Sequence, residues 1–99
     1  MKLTEDEARK IARLIGLGHA FEKHAANVSE SGELITQSSF ESLILETLLS
    51  PSKVRQLENG RTAFWNADEH FLVVVNPVDP DMGTAYWPIG GINGYKVLR

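Results

Sequence analysis

The chain has 99 residues, 42% of them hydrophobic and 23% charged, with no cysteine and a formal net charge of −3. That length suits one small domain over 1–99, and the missing thiols exclude a disulfide scaffold or a cysteine-ligated zinc site. The longest apolar run, Phe71–Val75, is far short of the roughly 20 residues that cross a bilayer, and the acidic opening reads as no signal peptide.

Thr4-Glu5-Asp6-Glu7 has the form of a capping box, in which threonine and glutamate each satisfy an orphan amide at a helix start. Ala8, Ile11, Ala12 and Ile15 follow at helical spacing on one face. Past Gly16-Leu17-Gly18 the apolar stripe of Leu17, Ala20, Phe21, Ala25 and Val28 points elsewhere on the wheel. Two helical pieces are therefore expected, over about 5–15 and 18–28, with the break at the glycines.

After a polar turn at Ser29–Glu33, Ser38 or Ser39 can cap a helix through about Leu49, with Phe40, Leu43, Ile44, Thr47 and Leu48 buried. Ser50-Pro51 ends it, and Pro51 can start a short helix through Leu57. Asn59-Gly60 signals a turn or a helix C-cap.

From Arg61 onward strands are expected at 61–66, 70–75, 83–88 and 94–98, separated by short turn-rich links. Such links leave no room for crossover helices, so the sheet should be antiparallel. Helices over 4–58 followed by strands over 61–98 give an α+β domain, with N-terminal helices packed on one side of about four twisted strands.

The residues able to carry chemistry are few. His24 falls within the second apolar stripe, either as a hydrogen-bonded core histidine or as an imidazole facing the sheet for proton transfer. His19 and Lys23 lie on the polar side, and the five-residue histidine spacing suits no helical metal pair. Alternation puts Arg61, Ala63 and Trp65 on one strand face and Thr62 and Phe64 on the other. A strand-start guanidinium can clamp a phosphate. Thr84 and Tyr86 share a face around Ala85, as a polar shelf beside a ligand would, though both are also ordinary strand formers. His70 reads as a surface residue beside an acidic turn, and the Asn76–Asp81 loop does not match an EF-hand.

Five segments in order resemble the C-terminal toxin domains of contact-dependent growth inhibition and related polymorphic toxins. They are Gly18–His24, Asn59–Trp65, Val73–Pro77, Asp81–Tyr86 and Gly94-Tyr95, and the likeness runs from about residue 16 to the end. The resemblance implies a barnase/EndoU/colicin/RelE-like fold and a metal-independent endoribonuclease, without cofactor, that cleaves tRNA. It also implies a cognate immunity protein, in some cases an activating host protein, and no membrane contact by the domain itself. Such domains are secreted within a larger protein and act in the target-cell cytoplasm. His24 and His19 would share proton transfer, with Arg61, Thr84 and Tyr86 completing the catalytic group, while Lys23, Thr62 and Trp87 would contact RNA. Where such toxins carry a basic residue after the Gly-Thr-Ala-aromatic run, this chain has Trp87.

The acidic balance, without the basic surplus of a duplex-DNA binder, leaves two other readings. One is a non-catalytic protein-binding module using the acidic loop or the aromatic strands. The other is a toxin of the same fold with a different intracellular target.

Overall fold

The computed structural model describes residues 4–17, 37–80, 82–88 and 90–98. The expected helical piece at 18–28 and the turn at 29–33 lie outside them, as do His19, Lys23 and His24.

Helix α1 spans Glu5–Leu17. Its capping box forms: the Glu7 amide donates to Thr4 Oγ1 at 3.2 Å, and the Thr4 amide returns the bond to Glu7 Oε1 at 3.2 Å. Glu5, Asp6 and Glu7 also place negative charge at the positive end of the helix dipole. The helix does not break at Gly16. There the missing side chain lets α2, Gln37–Leu49, come close: a Cβ on Gly16 would stand 3.2 Å from Glu41 Cβ. Ser38 and Ser39 lie inside α2 rather than capping it. Its buried face matches expectation in Phe40, Ile44, Thr47 and Leu48.

The sheet is antiparallel, in the order β1 (Lys53–Gln56), β2 (Thr62–Asn66), β3 (Phe71–Val75) and β4 (Gly83–Tyr86). Two expectations fail here. Residues 51–57 form no helix, because Asn59 and Gly60 both take positive φ (63° and 75°) and fold β1 back onto β2. The Leu57 amide closes the loop on the Arg61 carbonyl at 2.8 Å, and Asn-Gly supplies the left-handed backbone inside it at low steric cost. Residues 94–98 form no strand; a short helix α3, Ile92–Lys96, ends the fold instead. Ile92, Tyr95 and Leu98 recur every third residue and all pack on the sheet, a helical spacing that an alternating reading overlooks.

Each face of the sheet has its own core. Phe64, Phe71, Val73, Val75 and Ala85 meet α1 and α2. Ala63, Trp65, Leu72 and Val74 meet Leu57 and Tyr95 on the other face, with α3 lying over them. Asn66 ties the first face to α2: its Nδ2 donates to Thr47 Oγ1 at 3.2 Å, and Thr47 donates to the Leu43 carbonyl at 2.8 Å. Gly83 must be glycine. At φ 132° a Cβ would fall 1.9 Å from the Val74 carbonyl oxygen across the β3–β4 ladder.

Candidate functional site

The register decides which side chains can cooperate. Thr84 pairs with Val74 and Tyr86 with Leu72, while Ala63 pairs with Val74 and Trp65 with Leu72. Paired residues share a face, so Thr84 and Tyr86 lie on the same face as Trp65, one strand removed from it, on the side turned away from α1 and α2. Lys53 and Arg55 join it through their pairing with Trp65 and Ala63.

Burial raises the Tyr86 phenol above its ordinary pKa of 10.0, so the hydroxyl stays protonated and able to donate at neutral pH. Tyr95 is also raised by burial, against an opposing influence from the Arg55 cation. Arg55 itself is committed to structure. Its guanidinium donates to the Tyr95 and Lys96 carbonyls at 2.9 and 2.8 Å and to that of Leu98, and it stands 6.0 Å from the Tyr95 ring centroid. One cation from β1 thus gathers the carbonyls at and just past the C-terminal end of α3, the negative end of the helix dipole.

The other expected residues are placed differently. Arg61 starts on the same face by alternation, with Nε donating to the Glu58 carbonyl at 3.2 Å. It lies two strands over and two residues along from Thr84, roughly 12 Å by strand spacing and rise. Thr62 faces the helices, is buried, and donates its hydroxyl to Gln56 Oε1 at 3.2 Å. Trp87 is half-buried. Its ring packs into the helix-side core, 4.8 Å from the Phe71 ring and 6.0 Å from that of Phe40. Its buried Nε1 finds no acceptor among the described residues.

His70 is exposed beside its acidic turn, as the sequence suggested, but its place in a cleft was not foreseen. It closes the β2–β3 turn at φ 51°, a left-handed conformation in which histidine is enriched among non-glycine residues. Its ring lies nearly parallel to that of Trp65, at 11° with centroids 6.3 Å apart. Together with Ala67, Gly90, Gly91 and Ile92 these two rings line a cleft of about 490 Å³, within the roughly 300–1,000 Å³ of small-ligand sites. The only sequence signal was alternation backward from Leu72, which puts His70 on the face of Thr84 and Tyr86.

No protein-family model, curated protein or solved structure matches the chain. Geometry alone therefore bears on function. A second cleft of about 330 Å³ opens on α1 and α2, where Arg13 and Arg9 stand beside Glu41. Arg9 is already paired with Glu5 at 2.8 Å. Among the described residues no cluster of three or more His, Asp or Glu could hold a metal, and no helix is long and apolar enough to cross a membrane.

Proposed function

We propose that the chain is a metal-independent endoribonuclease domain of the polymorphic-toxin kind, acting on tRNA through the sheet face opposite α1 and α2. One observation carries the reading: the sheet face that bears Thr84 and Tyr86 also bears, toward the β2–β3 turn, a cleft of nucleotide size lined by Trp65 and His70. RNA supplies its own nucleophile. The ribose 2′-hydroxyl attacks the adjacent phosphorus and expels the 5′ oxygen, leaving a 2′,3′-cyclic phosphate and a 5′-hydroxyl.

The protein must take one proton, give another, and hold the charge of the phosphorane. Imidazoles perform the transfers, His24 and His19 being the pair that the family resemblance offers. The protonated Tyr86 phenol and the Thr84 hydroxyl donate to the phosphate oxygens. Arg61 contributes positive charge from the neighbouring corner of the sheet.

Total tRNA incubated with the purified chain in EDTA, with and without cell extract, tests this directly. Discrete fragments ending in cyclic phosphate are expected. Their loss in His24→Ala, with an unchanged circular dichroism spectrum, would assign the imidazole. No cleavage in either condition overturns the proposal.

The separation of Arg61 from Thr84, together with the cover that α3 gives part of this face, favours a second reading. In it the face binds a partner protein without catalysis, and the same incubation then leaves tRNA intact.

A further inference from the structure

We infer that the cleft between His70 and the Gly90-Gly91 turn is a nucleotide subsite, taking a base between ring and backbone and directing its phosphate toward Lys53. The inference deepens the ribonuclease reading and rests on it for the identity of the ligand.

The walls suit a flat heterocycle. Ile92 and Ala67 supply apolar surface, the buried Trp65 forms the floor, and His70 supplies an exposed imidazole held in orientation by its stack on Trp65. Gly90 and Gly91 present bare backbone at φ 85° and 60°, and a Cβ added at Gly91 would meet nothing within 4 Å. The room beside the turn is therefore open, and the Gly90 and Gly91 carbonyls, which accept from the Asn93 and Gly94 amides at 3.3 and 3.0 Å, each keep a second lone pair for the edge of a base. An aromatic surface next to exposed backbone is how single-stranded RNA bases are commonly gripped.

Charge gives the ligand its direction. Asp68 and Glu69 are exposed in the turn that carries His70, so a phosphate is repelled from that side. Lys53 lies directly across the ladder from Trp65 on the same face, with Cβ atoms about 5 Å apart by sheet geometry. It is exposed, and its ammonium makes no ion pair among the described residues. A monophosphate whose base fills the cleft can thus reach an exposed cation.

The test uses the full chain and titrates it with each nucleoside monophosphate and the matching nucleoside, following the His70 and Trp65 ring resonances by NMR. The His70 signals are assigned by their absence in His70→Asn, which tolerates the left-handed backbone and lacks the ring. The expected result is saturable shifts at both rings. Binding should weaken by about 5- to 100-fold in His70→Asn, the range that base–aromatic stacking supports. His70→Phe, which keeps a ring, should retain most of the affinity. Lys53→Gln should erase the preference for monophosphate over nucleoside, about twofold to fivefold for an exposed charge pair.

No shift at millimolar nucleotide, or shifts that His70→Asn leaves unaltered, overturns the subsite. The two proposals fail separately. Nucleotide binding in the cleft without tRNA cleavage keeps the subsite and removes the enzyme. Cleavage with no nucleotide response at His70 does the reverse.

Discussion

Phe71 and Leu72 are neighbours in β3, and both are fully excluded from solvent, yet they belong to different cores. Phe71 faces α1 and α2, where the neighbours are aliphatic and aromatic side chains and Asn66 bonds to Thr47. Leu72 faces Trp65, Tyr86 and Tyr95 under a five-residue helix held by one arginine. The first face is built from two thirteen-residue helices that bury Ala8, Ile11, Ala12, Ile15, Phe40, Ile44 and Leu48. The second is finished by short, polar-edged pieces, and it keeps the hydroxyls, the imidazole and the cleft. A sheet of this size can serve a ligand with one side because the other side carries the fold.

The strongest way to break that contrast is to remove bulk from each core in turn. Phe71→Ala should cost about 3–5 kcal/mol in denaturant unfolding and abolish every activity with the fold. Thr84→Ala should leave the unfolding midpoint nearly unchanged and act only on RNA cleavage or binding. Equal losses of stability from both would deny the division of labour.

Arg55→Ala comes next, at about 1–3 kcal/mol, because several charge-assisted bonds to carbonyls vanish together. The loss should be local: hydrogen exchange across 92–98 should accelerate while α1 and α2 keep their protection. Uniform acceleration would mean that α3 is integral to the whole fold rather than an attachment to one face.

Alkali sharpens the comparison further, since both tyrosines of the second core have pKa values raised by burial. An unfolded tyrosine ionises near 10.0, before the folded one does, so unfolding releases protons above that pH. Stability from the two phenols is fully present below about pH 10 and declines as pH climbs through their folded values. Denaturation curves between pH 9 and 11.5 should show the decline, and Tyr86→Phe with Tyr95→Phe should flatten it. The smallest effect belongs to the first helix: Thr4→Ala should cost about 1 kcal/mol of stability through loss of the cap, without touching cleavage.

Much of the helix-packed half was legible beforehand. The capping box and the stripes of α1 and α2 depend on contacts within three or four residues, so residue spacing encodes them directly. Strands β2, β3 and β4 were legible for a related reason, as runs of β-branched and aromatic residues between turn signals. Lys53–Gln56 was not, because Pro51 offered an equally valid helix start and the deciding signal, Asn59-Gly60, sits outside the segment. Thr84 and Tyr86 could be paired from alternation alone. Their company could not, since Trp65 and His70 reach them only through a register spanning three strands.

What the amino-acid order determined by itself was local: the cap and apolar stripe of α1, the apolar runs that become β2 and β3, and where the chain must turn. Tertiary structure alone decided which greasy side belongs to which core. It buried Thr62 on the helix side, packed a half-buried Trp87 against the same core, moved Arg61 to a corner, and brought His70 onto Trp65. The physical reason is distance along the chain. A cap or a stripe is closed by residues within a turn of one another, whereas a sheet face is assembled from strands whose relative register no single segment contains.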